Sequence, residues 1–288
     1  MSLEYWYMLP ISVLIATIAM ASGVGGATFF APILLLALRL PPEIAIGVGL
    51  ITEVFGFTSG LTAYVRRRLV DFGLAAAMLA FSIPLAVVGV LASKYVEPDI
   101  LKAILGMGLL AVAFGLLRAP ELKEIQSLDN AIDEEHATKM PEMCITSATG
   151  ETFRYTVCNK SIGMLVASVD GFFMGMISTG LGELNSYFLL QQCRVPSKVA
   201  VATSVFAVAL TALAAATGHL LRFVSAGGDT LQTVLSLVIF TAPGVVIGGQ
   251  LGPLLATRVS QRTLEKSLDI LFVMVSALTI GQLIVKQF

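Results

Sequence analysis

Charge is scarce in this chain. Asp, Glu, Lys and Arg make up 13% of its 288 residues, while 56% are hydrophobic; a soluble globular protein carries about 25% charged residues. A surface that faces water on all sides cannot be built from that ratio, so the soluble classes are excluded and an integral membrane protein remains. A net charge of −1 offers no basic face to nucleic acid. Histidine occurs twice and cysteine three times. No His/Cys cluster has ligand spacing, and Cys144 and Cys158 lack a C-x-x-C, so neither a metal site nor a disulfide framework is expected. G-x-S-x-G, Walker A and a strand-to-helix G-x-G-x-x-G are also missing. Their absence sets aside a nucleophilic hydrolase, an ATP-driven pump and a nucleotide-cofactor enzyme, and no cofactor is expected. The chain carries Glu4 and no Lys or Arg before Arg39, the wrong flank for a signal peptide, so Ala19-Met20-Ala21 is read as part of a retained first segment.

Apolar runs fill most of the remainder: 7–21, 27–38, 44–65, 72–93, 100–117, 162–178, 184–190, 199–221, 231–256 and 264–285. Six approach the ~20 residues that cross a bilayer as a helix. The others flank two glycine-rich interruptions, Ser22-Gly23-Val24-Gly25-Gly26-Ala27-Thr28 and Ser178-Thr179-Gly180-Leu181-Gly182-Glu183-Leu184-Asn185. An unwound backbone is tolerated at membrane depth only where protein or a water-filled cavity satisfies it. Two such breaks at corresponding places in two halves are the best pointer in sequence to a transporter's binding site.

The halves are alignable. Gly23 matches Gly180, Gly25 matches Gly182, Arg39 matches Arg194, Pro41 matches Pro196 and Ala45 matches Ala200; Pro84 with Pro243, Gly89 with Gly248 and Leu105 with Leu268 continue the order. If each broken pair enters and returns to one side, 13 basic residues lie inside and 5 outside; if each pair crosses once, the split is 10 to 8. The positive-inside rule favours the first arrangement, which inverts one repeat relative to the other. The expected fold is therefore an all-α polytopic membrane protein of two inverted repeats, 1–118 and 161–288, each of about five hydrophobic segments with a glycine-broken or re-entrant pair. Both termini are expected outside. The polar stretch 119–160 is expected to be a cytoplasmic connector, with an acidic part at Asp129, Asp133, Glu134 and Glu135 and a short β-hairpin over 145–157.

Glycine lets the backbone approach a ligand, and a helix restarting after a break points free N–H groups and its positive dipole end into the gap. Two opposed starts make an anion cage without a fixed cation. The substrate-binding candidates are Ser22, Gly23, Gly25, Gly26, Thr28, Ser178, Thr179, Gly180, Gly182 and Asn185. Intramembrane carboxylates mark ion or proton paths, which makes Glu53, Asp170 and Glu183 the coupling candidates. Arg39 and Arg194, ending the short segments after the breaks, could attract an anion at each mouth or bind helix carbonyls and lipid phosphate. His219 has the pattern of a structural interfacial histidine.

The glycine-rich break followed by a Pro-bearing short loop, present in both halves and continued in the second by Pro196-Ser197-Lys198-Val199-Ala200-Val201-Ala202-Thr203-Ser204, resembles the TauE/SafE family. The resemblance spans both membrane halves. It implies a transporter of sulfite, organosulfonates or related sulfur anions in the cell membrane, with export the expected direction. Many members look more purely glycine-rich where this chain has Glu183 and Asn185. The expected partners are a small anionic substrate, the lipid bilayer, a proton as coupling ion and, as one assembly, a homodimer. Two rival readings are a cation transporter whose ion sits among Glu53, Asp170, Glu183 and Asn185, and a membrane-embedded sensor or enzyme working through the connector.

Overall fold

The computed structural model describes residues 3–22, 27–117, 122–138, 143–156, 160–180, 185–186, 188–256 and 261–287. The chain is mostly helical. After a 3₁₀ turn at Leu3–Tyr5 come α1 (Met8–Ser22), α2 (Ala27–Leu36), α3 (Pro42–Arg66), α4 (Phe72–Tyr95) and α5 (Pro98–Leu117). The central segment holds α6 (Leu122–Thr138) and the strands β1 (Met143–Thr146) and β2 (Thr152–Tyr155). Beyond it lie α7 (Lys160–Ile177), a single π-helical turn (Phe188–Gln192), α8 (Ser197–Ala226), α9 (Gly228–Ala256) and α10 (Gln261–Gln287). Among the described residues, α4, α5, α8 and α9 are long and apolar enough to cross a membrane, while α1, α7 and α10 contain shorter apolar stretches.

Glycine decides how the helices cross. Gly244, Gly248 and Gly252 recur every fourth residue on α9, and a Cβ on any of them would run into α1, at the Leu9 carbonyl, the Val13 carbonyl and Met20 respectively. The same device joins α7 to α4: a Cβ on Gly171 or Gly175 would overlap the carbonyl oxygen of Ser82 or Ala86. Lipid tails are as apolar as leucine, so helices in a membrane associate through such close packing rather than through hydrophobic burial.

The contacts also fix directions. α3 and α8 are antiparallel, since Glu43 at the start of α3 meets Arg222 near the end of α8. At the other end of this pair, Leu69 and Val70 pack against Ala202. α4 runs parallel to α8, with Asp71 bonded to Thr203 and Ser82 to Thr211; α3 runs parallel to α9, with Thr52 bonded to Thr241 and, one turn on, Gly56 against Val245. The rising order of the glycine contacts makes α1 parallel to α9 and α7 parallel to α4. Hence α1, α3 and α9 point one way and α4, α7 and α8 the other.

On either side of each break, apolar residues share a buried cluster. Met8 of α1 clusters with Leu34 and Leu35 of α2, and Ala167 of α7 clusters with Leu189 and Leu190 of the π turn. The stretch after the second break thus differs from its partner: α2 is a regular helix, whereas residues 188–192 form one wide turn.

The acidic part of the central segment is helical, which the sequence reading did not anticipate. Its apolar residues are few, but Ile125, Leu128 and Ile132 fall at helical spacing and share one core with Met78, Val199 and Ala200 of the membrane helices. β1 and β2 pair antiparallel, Met143 opposite Tyr155 and Thr146 opposite Thr152. Tyr155 is fully buried and donates to Asp71 Oδ2 at 2.7 Å, while Oδ1 of the same carboxylate caps α4 by accepting from the Leu74 amide. Burial, then the bond to Asp71, raises the Tyr155 phenol above the ordinary tyrosine range, so it stays a donor throughout the physiological pH range.

Candidate functional site

Residues next to the two breaks meet in one central core. Ala19 before the first break, Phe29, Phe30 and Ala31 after it, and Met174, Met176 and Ile177 before the second belong to a single buried cluster. Phe29 packs its ring 4.8 Å from that of Phe272 on α10. The hydroxyl-bearing candidates that are described lie inside: Thr28 is buried in the first turn of α2, and Ser178 and Thr179 are each 1% exposed. Ser178 ends α7 in the left-handed region at φ 58°, with its amide closing the helix on the Met174 carbonyl. A serine pays about 1 kcal/mol or more for that backbone, and its buried Oγ has no partner among the described residues. A buried hydroxyl without a partner is costly in a finished core and suits a place where a polar ligand docks.

Asn185 follows the second break, and its Nδ2 donates to Asp170 Oδ2 on α7 at 2.7 Å, both side chains being 2% exposed. The structure therefore joins two of the predicted residues directly and ties the break to the helix before it. Glu53 is also buried, one residue beyond Thr52, whose hydroxyl reaches Thr241 at 2.7 Å. Gly180 is half-buried and Ser22 closes α1, whereas Gly23, Gly25, Gly26, Gly182 and Glu183 lie outside the described residues.

Arg39 and Arg194 share a conformation. Both have φ 51°, both are exposed, and in each case the next amide bonds six residues back, Leu40 to Leu34 at 3.2 Å and Val195 to Leu189 at 2.9 Å. The same strained turn thus ends the return limb of each broken pair. At the α3 start, Arg222 donates to the Val90 carbonyl, Ser93 Oγ and Glu43. His219 Nε2 binds the Gly175 carbonyl across the α7 crossing, in keeping with a structural role.

One residue was overlooked. Asp269 on α10 is 7% exposed, with Oδ1 unpartnered among the described residues, one helical turn before Phe272. Its signal was available: an acidic residue within the last apolar run has the same meaning as Glu53 or Asp170. Among the described residues, no three His, Cys, Asp or Glu side chains gather as they would around a metal ion.

Residues 8–280 match the family described as "Sulfite exporter TauE/SafE". The chain is 22% identical over 280 residues to "Probable membrane transporter protein YunE" of Bacillus subtilis (strain 168), covering 95% of this chain and 96% of that protein. It is 25% identical over 268 residues to "Probable membrane transporter protein YjnA" of the same organism, covering 91% and 92%. No solved structure matches it. The chain is a multi-pass membrane transporter rather than an enzyme, and it belongs to the TauE/SafE sulfite exporter family.

Proposed function

We propose that this protein is a secondary transporter that exports small sulfur oxyanions, sulfite or an organosulfonate, by alternating access between two inverted repeats, 1–118 and 161–288, around a cytoplasmic connector. The observation that carries the reading is helix direction: α1 and α7, α3 and α8, and α4 and α9 occupy matching places in the two halves and run oppositely. Residues flanking both breaks share the common core, and opposed copies would bring the breaks to it from opposite sides, the arrangement that places substrate near the midplane. There the oxyanion would be held by backbone N–H groups of the glycine breaks and by Ser22, Thr28, Ser178, Thr179 and Asn185. Asp170, Glu53, Glu183 and Asp269 are the groups available to carry a coupling proton. Of these Asp170 is favoured, because its bond to Asn185 ties protonation to the shape of the break.

Proteoliposomes loaded with labelled sulfite or sulfoacetate are expected to release the label, and faster under a pH gradient. Absence of flux for every sulfur oxyanion tried, with and without the gradient, sinks the substrate assignment. The mouth role of Arg39 has its own test. Arg39→Gly relieves about 1 kcal/mol of left-handed strain, so an unchanged or higher melting temperature with slower uptake at low substrate assigns the loss to the guanidinium. Equal uptake would leave Arg39 a helix terminator only.

A further inference from the structure

We infer that the central segment is a latch that holds the cytoplasmic mouth shut, supplying the carboxylate that the second repeat lacks. The inference rests on the alternating-access reading above, in which one mouth must loosen in each half of the cycle.

The opposite mouth shows what a lock looks like in this fold. There Arg222 near the end of α8 binds Glu43 at the start of α3, at 3.2 Å, and also the Val90 carbonyl and Ser93 near the end of α4. The lock therefore ties one half to the other. The register that matches Arg39 with Arg194 and Pro41 with Pro196 places Arg67 where Arg222 stands and Lys198 where Glu43 stands. Two cations cannot pair. Inversion would repeat the contact at the connector end, yet the sequence has replaced its acid with a base.

The turn between β1 and β2 occupies that place. The Ala148 amide donates to the Arg67 carbonyl at 2.9 Å, and Glu151 meets Lys198 at 2.7 Å. Two further fastenings flank it. Asp129 of α6 takes the Ser197 amide at 2.8 Å and its hydroxyl at 2.5 Å, capping α8 from outside that helix. Tyr155 holds Asp71, whose own amide donates to Thr203 at 3.0 Å. The segment thus bridges the N-terminal ends of α4 and α8, one from each half, and its Ile132 and Tyr155 share a buried cluster with Cys193, which follows the second break and is 1% exposed. Lys198 and Glu151 are both more than half exposed, so their pair contributes little on its own. The buried Tyr155 bond and the Asp129 cap carry more of the hold.

The direct outer pair and the strapped inner contact give the two mouths different control. The outer one responds only to the membrane helices, whereas the inner one can be released from the cytoplasm by whatever displaces the central segment.

Cys193 provides the readout. In full-length protein carrying Cys144→Ser and Cys158→Ser, inside-out vesicles are treated with a membrane-impermeant maleimide. Labelling of Cys193 is expected to be slow, to quicken about tenfold in Asp129→Ala/Tyr155→Phe, and to quicken about threefold in Glu151→Lys. Glu151→Lys/Lys198→Glu is expected to return it to the starting rate, a rescue that general unfolding cannot produce. Unchanged labelling in Asp129→Ala/Tyr155→Phe, or a charge exchange that fails to restore protection, overturns the inference. Labelling reads access and not transport, so latch-dependent labelling without sulfur-anion flux would reject the proposed substrate alone, and flux with latch-independent labelling would reject the latch alone.

Discussion

Valine in place of Gly175 is expected to leave almost no folded transporter in the membrane. A Cβ at this position overlaps the carbonyl oxygen of Ala86 and crowds its carbonyl carbon and Cα, so the obstacle is backbone rather than a side chain that could rotate away. α7 would have to withdraw from α4 along its length. That would also break the His219 bond to the Gly175 carbonyl and shift Asp170, five residues earlier on the same helix. Overpacking alone costs typically 1–3 kcal/mol, and the lost crossing adds to it. Neighbouring glycines on α9 provide a graded test. Gly248→Ala drives a methyl into the Val13 carbonyl, whereas Gly249→Ala meets nothing within 4 Å. The first is expected to lower the detergent melting temperature by about 5–10 °C, and the second to leave it unchanged or raise it slightly through better helix propensity. Equal melting temperatures for the two would show that the glycine crossing does not hold α1 to α9.

Asp170→Asn is expected to abolish the response of transport to a pH gradient while exchange of substrate for substrate continues. The substitution preserves volume and an oxygen acceptor for Asn185, but it removes the only part of the pair that can ionise. Net gradient-driven flux is expected to fall at least about tenfold, the behaviour of an intramembrane carboxyl that carries a proton. Asp170→Leu should be worse in a different way, because it leaves the buried Asn185 amide without its acceptor at a cost of about 1–3 kcal/mol; that variant loses stability and exchange together. If Asp170→Asn retains full gradient dependence, the coupling role passes to Glu53, Glu183 or Asp269, and parallel Glu→Gln and Asp→Asn variants identify which.

Glu53 and Asp170 were legible in the sequence because an ionisable residue in an apolar run stands out wherever it falls. Asp269 carried the same signal but sits near the charged start of its run, beside Glu265 and Lys266, and so passed as part of the interface. α6 was missed for a related reason. Four large aliphatic residues in seventeen are few against an acidic background, and the helix makes sense only with the membrane helices that share its core. The central segment was expected to be chiefly a solvated connector. Its fastenings to Asp71, Arg67, Ser197 and Lys198 link residues 47 to 84 positions apart, and no local spacing announces such contacts.

The sequence by itself determined that this protein lives in a membrane, where its apolar spans begin and end, and that two glycine breaks sit at matching points. Those properties follow from transfer energies and backbone freedom, which each short stretch carries independently of the rest. Only the tertiary structure decided which glycines touch a neighbouring backbone, that Asp170 answers Asn185, that Ser178 keeps a buried hydroxyl without a partner among the described residues, and that the central segment straps two helix ends. Each of these depends on which helices cross and at what depth. That is settled by the fit of whole surfaces, and a few ångströms decide whether a polar atom finds a partner.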